Sequence, residues 1–174
     1  MPKILEHVKE QLITEAERQL REVGYAKTNI RSVAAACGIA VGTVYNYFPS
    51  KEMLVATCLA EDWRRVAEGL DNMRPASPEG RVLAIYTALT EFSARHATLF
   101  ADPEAHTVFA GHFPARHPLL RGQVATWLLP ITAAYPAHGQ AFAADFAAEA
   151  LITWTMAGTP FPTLYEMLKN TLKI

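Results

Sequence analysis

TNIRSVAAACGIAVGTVYNYFPSKEML, residues 28–54, reads as two short helices joined by a tight turn and followed by the start of a third. Asn29 suits an N-cap, because its side-chain oxygen can accept from free N–H groups of the next turn; Thr28 fills that role if the helix starts one residue earlier. Ile30, Val33, Ala34 and Cys37 then fall at the i, i+3, i+4, i+7 spacing of one buried helix face. Gly38 follows where a helix stops in the left-handed conformation, which costs glycine nothing sterically. Ala34 is small enough for two helices to cross closely, and Ile39 re-enters the core.

The second helix spans about Val41 to Tyr47 and is expected to bury Ala40, Val44 and Phe48 at i, i+4, i+8. Its other face presents Gly42, Thr43, Tyr45 and Asn46, with Tyr47 at the margin. A small helix with such a face fits the major groove of B-DNA, where hydroxyls donate to phosphates and Asn46 can pair with an adenine edge. Ser50 is a good N-cap for the third helix, and Pro49 fixes the chain entering it. Lys51 then lies in a first turn, where the helix dipole disfavours a cation unless an anion binds there. From Lys27 to Lys51 there are three cations, Lys27, Arg31 and Lys51, and no Asp or Glu. The whole chain carries 16 Lys+Arg against 17 Asp+Glu, so this acid-free stretch stands out locally, whereas the net charge of −1 carries no such signal.

Residues 10–55 resemble the DNA-binding domain of the TetR family of transcriptional regulators. The matching positions are Tyr25, Thr28, Ile30, Val33-Ala34, Gly38-Ile39, Gly42-Thr43-Val44-Tyr45, Tyr47-Phe48 and Ser50-Lys51-Glu52. The resemblance implies phosphate contacts from Thr28, Thr43, Tyr45, Tyr47 and Lys51. It also implies that Val41, Gly42 and Asn46 approach base edges. Many members carry a polar pair such as Ser-Lys where this chain has Ala40-Val41, so one cationic contact is absent; Val41 can still meet a thymine methyl.

Outside this stretch the chain reads as helix after helix, without strand-period alternation or internal repeat. Residues 3–23 place Ile4, Val8, Leu12, Ala16, Leu20 and Val23 on one stripe ended by Gly24. Residues 51–73 place Leu54, Cys58, Leu59, Trp63, Val66, Leu70 and Met73 on another. Ser77 caps a helix that starts at Pro78 and runs to about His96. Asp102-Pro103-Glu104 opens a short helix to about Gly111, and Pro114 and Pro118 bracket a loop. A helix follows from about Leu119 to Tyr135, kinked or ended by Pro130, then a turn at Pro136–Gly139 and helices over 140–157 and 162–172. The expected fold is all-α: an N-terminal three-helix domain with a helix-turn-helix, residues 1–49, followed by a helical effector-binding and dimerisation domain, residues 50–174.

Helix-turn-helix proteins usually bind as dimers, because one recognition helix makes few contacts. The last two helices offer Phe142, Phe146 and Ala150, then Leu164 and Leu168, as a four-helix homodimer interface, an arrangement the resemblance also implies. It further implies a small-molecule effector pocket, for which the candidate residues are the aromatics Trp63, Tyr86, Phe92, Phe109, Phe113, Trp127 and Trp154. At 174 residues the chain is somewhat short for the resemblance, so a reduced effector domain or a small pocket is expected. The partners expected are therefore a double-stranded DNA operator, a largely apolar effector and a second copy of the chain.

Hydrophobic residues make up 51% of the chain, ample for a core, yet no run approaches a membrane span and the charged N-terminus is no signal peptide. Cys37 and Cys58 lie at apolar helix positions, as reduced thiols of a cytoplasmic protein do. His96, His106, His112 and His117 cluster in sequence, but none has the i, i+4 spacing of a zinc helix, so neither metal nor cofactor is expected. G-x-S-x-G, G-x-x-x-x-G-K and G-x-G-x-x-G are all absent, which leaves enzymes of those classes without a motif. The contrasting readings are an all-α enzyme and an interaction module that has kept this fold without sequence-specific DNA binding.

Overall fold

A computed structural model describes residues 2–112 and 116–174, and the side chains of all of these except 2–6, 109–112 and 116. Every element in the described residues is helical. The chain divides into two compact units: Met1–Arg64 with Arg95–Phe113, and Arg65–Ala94 with Pro114–Ile174.

In the first unit, α1 (Pro2–Lys27) is broken at Gly24, whose φ of 80° and ψ of 175° belong to a region that side-chain-bearing residues avoid. The break shifts the helical phase. Val23, expected on the buried stripe, is 47% exposed, and Tyr25 enters the core in its place. Thr28 lies fully buried behind the break, its hydroxyl donating to the Gly24 carbonyl at 2.8 Å. α2 (Ile30–Cys37) begins at a capping box: Ser32 N–H donates to Asn29 Oδ1 at 2.9 Å, and Asn29 N–H donates to Ser32 Oγ at 3.1 Å. It ends at Gly38, left-handed at φ 66°, with the Ile39 N–H donating to the Ala34 carbonyl.

α3 (Val41–Tyr47) is anchored by Val44 and Phe48, both buried against Leu12, Ala16, Val33 and Leu54. Ala40 was expected in that core, but it is exposed. It serves as the N-cap with extended backbone, φ −62° and ψ 136°, which turns its methyl outward. α4 (Lys51–Asp71) starts on Ser50, whose hydroxyl accepts from Met53 N–H. Cys58, nearly fully buried, packs its thiol on the Ile13 carbonyl of α1. Two further helices complete this unit, α6 (Ala97–Phe100) and α7 (Pro103–His112), the latter capped by Asp102 through the Glu104 and Ala105 N–H groups.

The second unit contains the end of α4, α5 (Pro78–Arg95) up to Ala94, α8 (Arg116–Leu128), a 3₁₀ turn (Leu129–Ile131), α9 (Ala137–Met156) and α10 (Phe161–Leu172). Ser77 caps α5 through the Gly80 N–H. Pro118 falls inside α8, in the first turn, where no N–H is needed, so it does not close a loop as expected. Pro130 ends α8 by converting it to the 3₁₀ turn. The expected turn at Pro136–Gly139 is instead the start of α9, with Pro136 as its N-cap and the Gly139 N–H bonded to the Pro136 carbonyl. α9 packs on both α8 and α10. Four alanines on its inner side, 143, 144, 147 and 148, are buried, so neighbouring helices can approach closely. Trp127 of α8 is buried and its indole N–H donates to Asp71 at 2.7 Å, tying α8 to the end of α4.

Candidate nucleic-acid interface

The outward surface of α3 is made by what its anchors leave free. With Val44 and Phe48 turned inward, Gly42, Tyr45 and Asn46 are exposed, Tyr45 at 50%, and Val41, Thr43 and Tyr47 are half-buried at the margins. The face therefore combines two phenol hydroxyls, a threonine hydroxyl and a carboxamide with a glycine that lets another backbone come close. It is uncharged itself, and its cation comes from the next helix: Lys51, in the first turn of α4, is half-buried.

The Lys51 ammonium lies 3.7 Å from the centroid of the Tyr25 ring. That distance is well within the range of cation–π attraction. The Tyr25 phenol is pushed up to about 12, first by burial and then by the negative charges of Glu52, Glu104 and Asp102. It therefore remains neutral under ordinary conditions. The structure removes one residue from the expected contact set: Thr28 has no exposed surface, and its hydroxyl is committed to the Gly24 carbonyl. It shapes the corner between α1 and α2 and offers no donor to a phosphate.

A second group of side chains in this unit escaped the sequence reading. Asp62 is buried on α4, and its Oδ2 accepts from Arg95 Nε at 3.0 Å and from His96 Nε2 at 2.8 Å. Burial opposes its ionisation, but the hydrogen bonds from His96 and Arg95 outweigh that, and its pKa is held below the usual aspartate value. A lone acid on an otherwise apolar helix face was the available signal; its partners, more than thirty residues on, had none. The adjoining cleft, lined by Glu17, Arg21, Cys58 and Leu99 among others, has about 20 Å³ of free volume, room for one water. Among the described residues, no three His, Cys, Asp or Glu side chains gather as metal ligands would.

The expected effector aromatics do not form one group. Phe113 lies outside the described residues, as does the side chain of Phe109. Trp63 and Phe92 are half-buried, in the first and second units respectively. Within the second unit, Tyr86 donates its hydroxyl to the Thr159 carbonyl at 3.0 Å and packs on Phe161, ring centroids 5.3 Å apart. Trp127 is buried, but Trp154 is 54% exposed on α9, so it lines no interior pocket.

The expected dimer residues also separate. Phe142 and Phe146 are 74% and 53% exposed, one turn apart on α9, and Ala150 is half-buried on the next turn. Leu164 and Leu168, in contrast, are buried in their own unit, because α10 turns its leucine stripe inward and presents Met167 instead.

Residues 12–58, which hold the end of this geometry that faces outward from α2 to α4, match the model of bacterial regulatory proteins of the tetR family. Over these residues the chain is similar to the tetR family of bacterial regulatory proteins. Its TetR-like segment extends into curated relatives. It is 33% identical over 91 residues to the HTH-type transcriptional repressor KstR of Rhodococcus jostii strain RHA1, covering 47% of this chain and 43% of that one. KstR of Mycobacterium tuberculosis strain H37Rv is 32% identical over 94 residues, covering 47% and 42%. The chain thus spans less than half the length of the curated relatives it matches.

Solved structures extend the likeness in fold to nearly the whole chain. RolR, determined with resorcinol, superposes with a TM-score of 0.61 at 19% identity, covering 99% of this chain and 89% of that one. GusR of Salmonella enterica superposes with a TM-score of 0.60 at 19% identity, covering 95% of each. No described helix is long and apolar enough to cross a membrane.

Proposed function

We propose that this TetR-like chain is a DNA-binding transcriptional repressor that acts as a homodimer on a near-palindromic operator and is released by a small, largely apolar effector. The observation that carries this reading is the exposed face of α3, with Gly42, Tyr45 and Asn46 outward and Lys51 beside it on an acid-free stretch of chain. Hydroxyls and the ammonium supply sequence-independent phosphate contacts, and Asn46 and Val41 supply base-edge contacts. The KstR relatives, repressors by name, support the direction of regulation.

Homodimerisation is supported by the exposed aromatic stripe of α9, Phe142, Phe146 and Trp154, which a second copy would cover. An aromatic or apolar effector is supported by RolR, whose solved structure contains resorcinol, and by the half-buried Tyr86 and the buried Trp127 of the second unit.

The test is selection from random-sequence duplex DNA at several salt concentrations, with and without a metabolite extract. A repressor enriches a near-palindrome, binds it more weakly as salt rises, and loses it when its effector is present. Failure to bind any duplex in a salt-dependent way removes the reading.

A further inference from the structure

We propose that Tyr25 is a positioning residue for DNA binding: its buried ring is a fixed platform that holds the Lys51 ammonium at the start of α4, oriented toward a DNA phosphate. The inference rests on the DNA-binding reading above.

Lys51 is a compact charge on a flexible four-carbon stem, and such a side chain ordinarily loses much rotamer freedom when it grips a ligand. Here one side of the ammonium already rests 3.7 Å from the Tyr25 centroid, and its remaining N–H donors are left for an anion. The platform is rigid for local reasons. Tyr25 is 1% exposed, it follows immediately on the Gly24 break, and the carbonyl of Gly24 is tied to the Thr28 hydroxyl and N–H.

The ring also answers an electrostatic difficulty. A cation in the first turn of a helix opposes the helix dipole. The negative face of a ring offsets that opposition without neutralising the charge, whereas a carboxylate partner would compete with phosphate. Because the phenol stays neutral, the platform adds no charge of its own. When phosphate arrives, it meets the ammonium at the positive end of the α4 dipole, where both favour an anion. No spacing rule links positions 25 and 51; the Gly24 corner brings them together.

The experiment uses the full chain, a mixed-sequence DNA duplex and a salt titration followed by fluorescence anisotropy. Lys51→Ala is expected to lower the magnitude of the log–log salt slope by about 0.9 per protomer. Tyr25→Leu is expected to weaken binding about two- to fivefold per protomer, the range of an exposed cation–π contact. Tyr25→Phe, which keeps the ring, restores binding. In the Lys51→Ala background, Tyr25→Leu produces no further loss. A direct signature accompanies these variants: in the unaltered protein, ring current shifts the Lys51 ε-methylene protons upfield by NMR. That shift survives in Tyr25→Phe and disappears in Tyr25→Leu.

Absence of the upfield shift in the unaltered chain overturns the proposal, and needs no variant to fold. Equal loss in Tyr25→Phe and Tyr25→Leu, or fully additive losses in the double variant, also overturns it. Lys51→Ala with undiminished binding overturns the proposal while leaving DNA binding in place. No binding by the unaltered chain overturns the DNA-binding reading and this one together.

Discussion

A single glycine sets the corner between α1 and α2 in the first unit. At Gly24, φ 80° and ψ 175° lie where a Cβ is strained whatever space surrounds it, and nothing within 4 Å would obstruct that Cβ. Gly24→Ala should therefore cost about 1–3 kcal/mol from backbone strain alone, measured by urea unfolding. An unchanged midpoint and slope would show that the corner is not held as described. Asn46 illustrates a different residue-scale effect, since it is exposed and contributes little to the fold. Asn46→Ala should leave stability within about 0.5 kcal/mol. It should also reduce discrimination at one base pair of each half-site by about 1–3 kcal/mol, read from binding to operator variants. Uniform weakening on all sequences would instead assign Asn46 to the phosphates.

At the scale of elements, α9 and α10 divide the work that their sequences seemed to share. α9 buries its alanines and exposes Phe142, Phe146 and Trp154, while α10 buries Leu164, Leu168 and Leu172. Phe142→Glu with Phe146→Glu should convert a dimer to a folded monomer, seen as halved mass by sedimentation with an unchanged far-UV spectrum. Leu168→Ala should instead destabilise the protomer by about 2–5 kcal/mol, the usual cost of a truncated core leucine. If the charged pair leaves the mass of the assembly unaltered, the α9 stripe is not the interface. The element boundaries follow local rules: the Asn29–Ser32 capping box and Gly38 bound α2, and Pro130 stops α8. Periodicity alone misjudged Val23 and Ala40, because each lies at a point where the chain leaves helical phase and the extrapolated face no longer applies.

Over the whole molecule, Asp62 gives the pH dependence of stability an acid contribution. The Asp62 carboxyl is held below its ordinary value in the folded chain, so its contribution is present above about pH 4, the unfolded range, and is lost as pH falls through the lower folded value. Asp62→Asn should flatten that acid limb in unfolding measurements between about pH 2 and 6. An acid limb of unchanged steepness would show that Asp62 is not its source. Tyr25 has the opposite sign: its pKa, raised to about 12, contributes stability below pH 10 that is lost as pH rises through the folded value.

Local pattern was enough to read the all-helical fold of the described residues, the bounds of α2 and α3, the caps at Asn29, Gly38, Ser50, Ser77 and Asp102, and the outward residues of α3. These depend on neighbours within one or two turns, where spacing and capping chemistry act directly. Helix packing is what buries Thr28, exposes Trp154, turns Leu168 into the core of its own unit and brings Asp62 to Arg95 and His96. It alone placed Tyr25 beneath Lys51. One cause underlies all of these: contact between residues far apart in the chain depends on where helices cross, and no short-range pattern records a crossing.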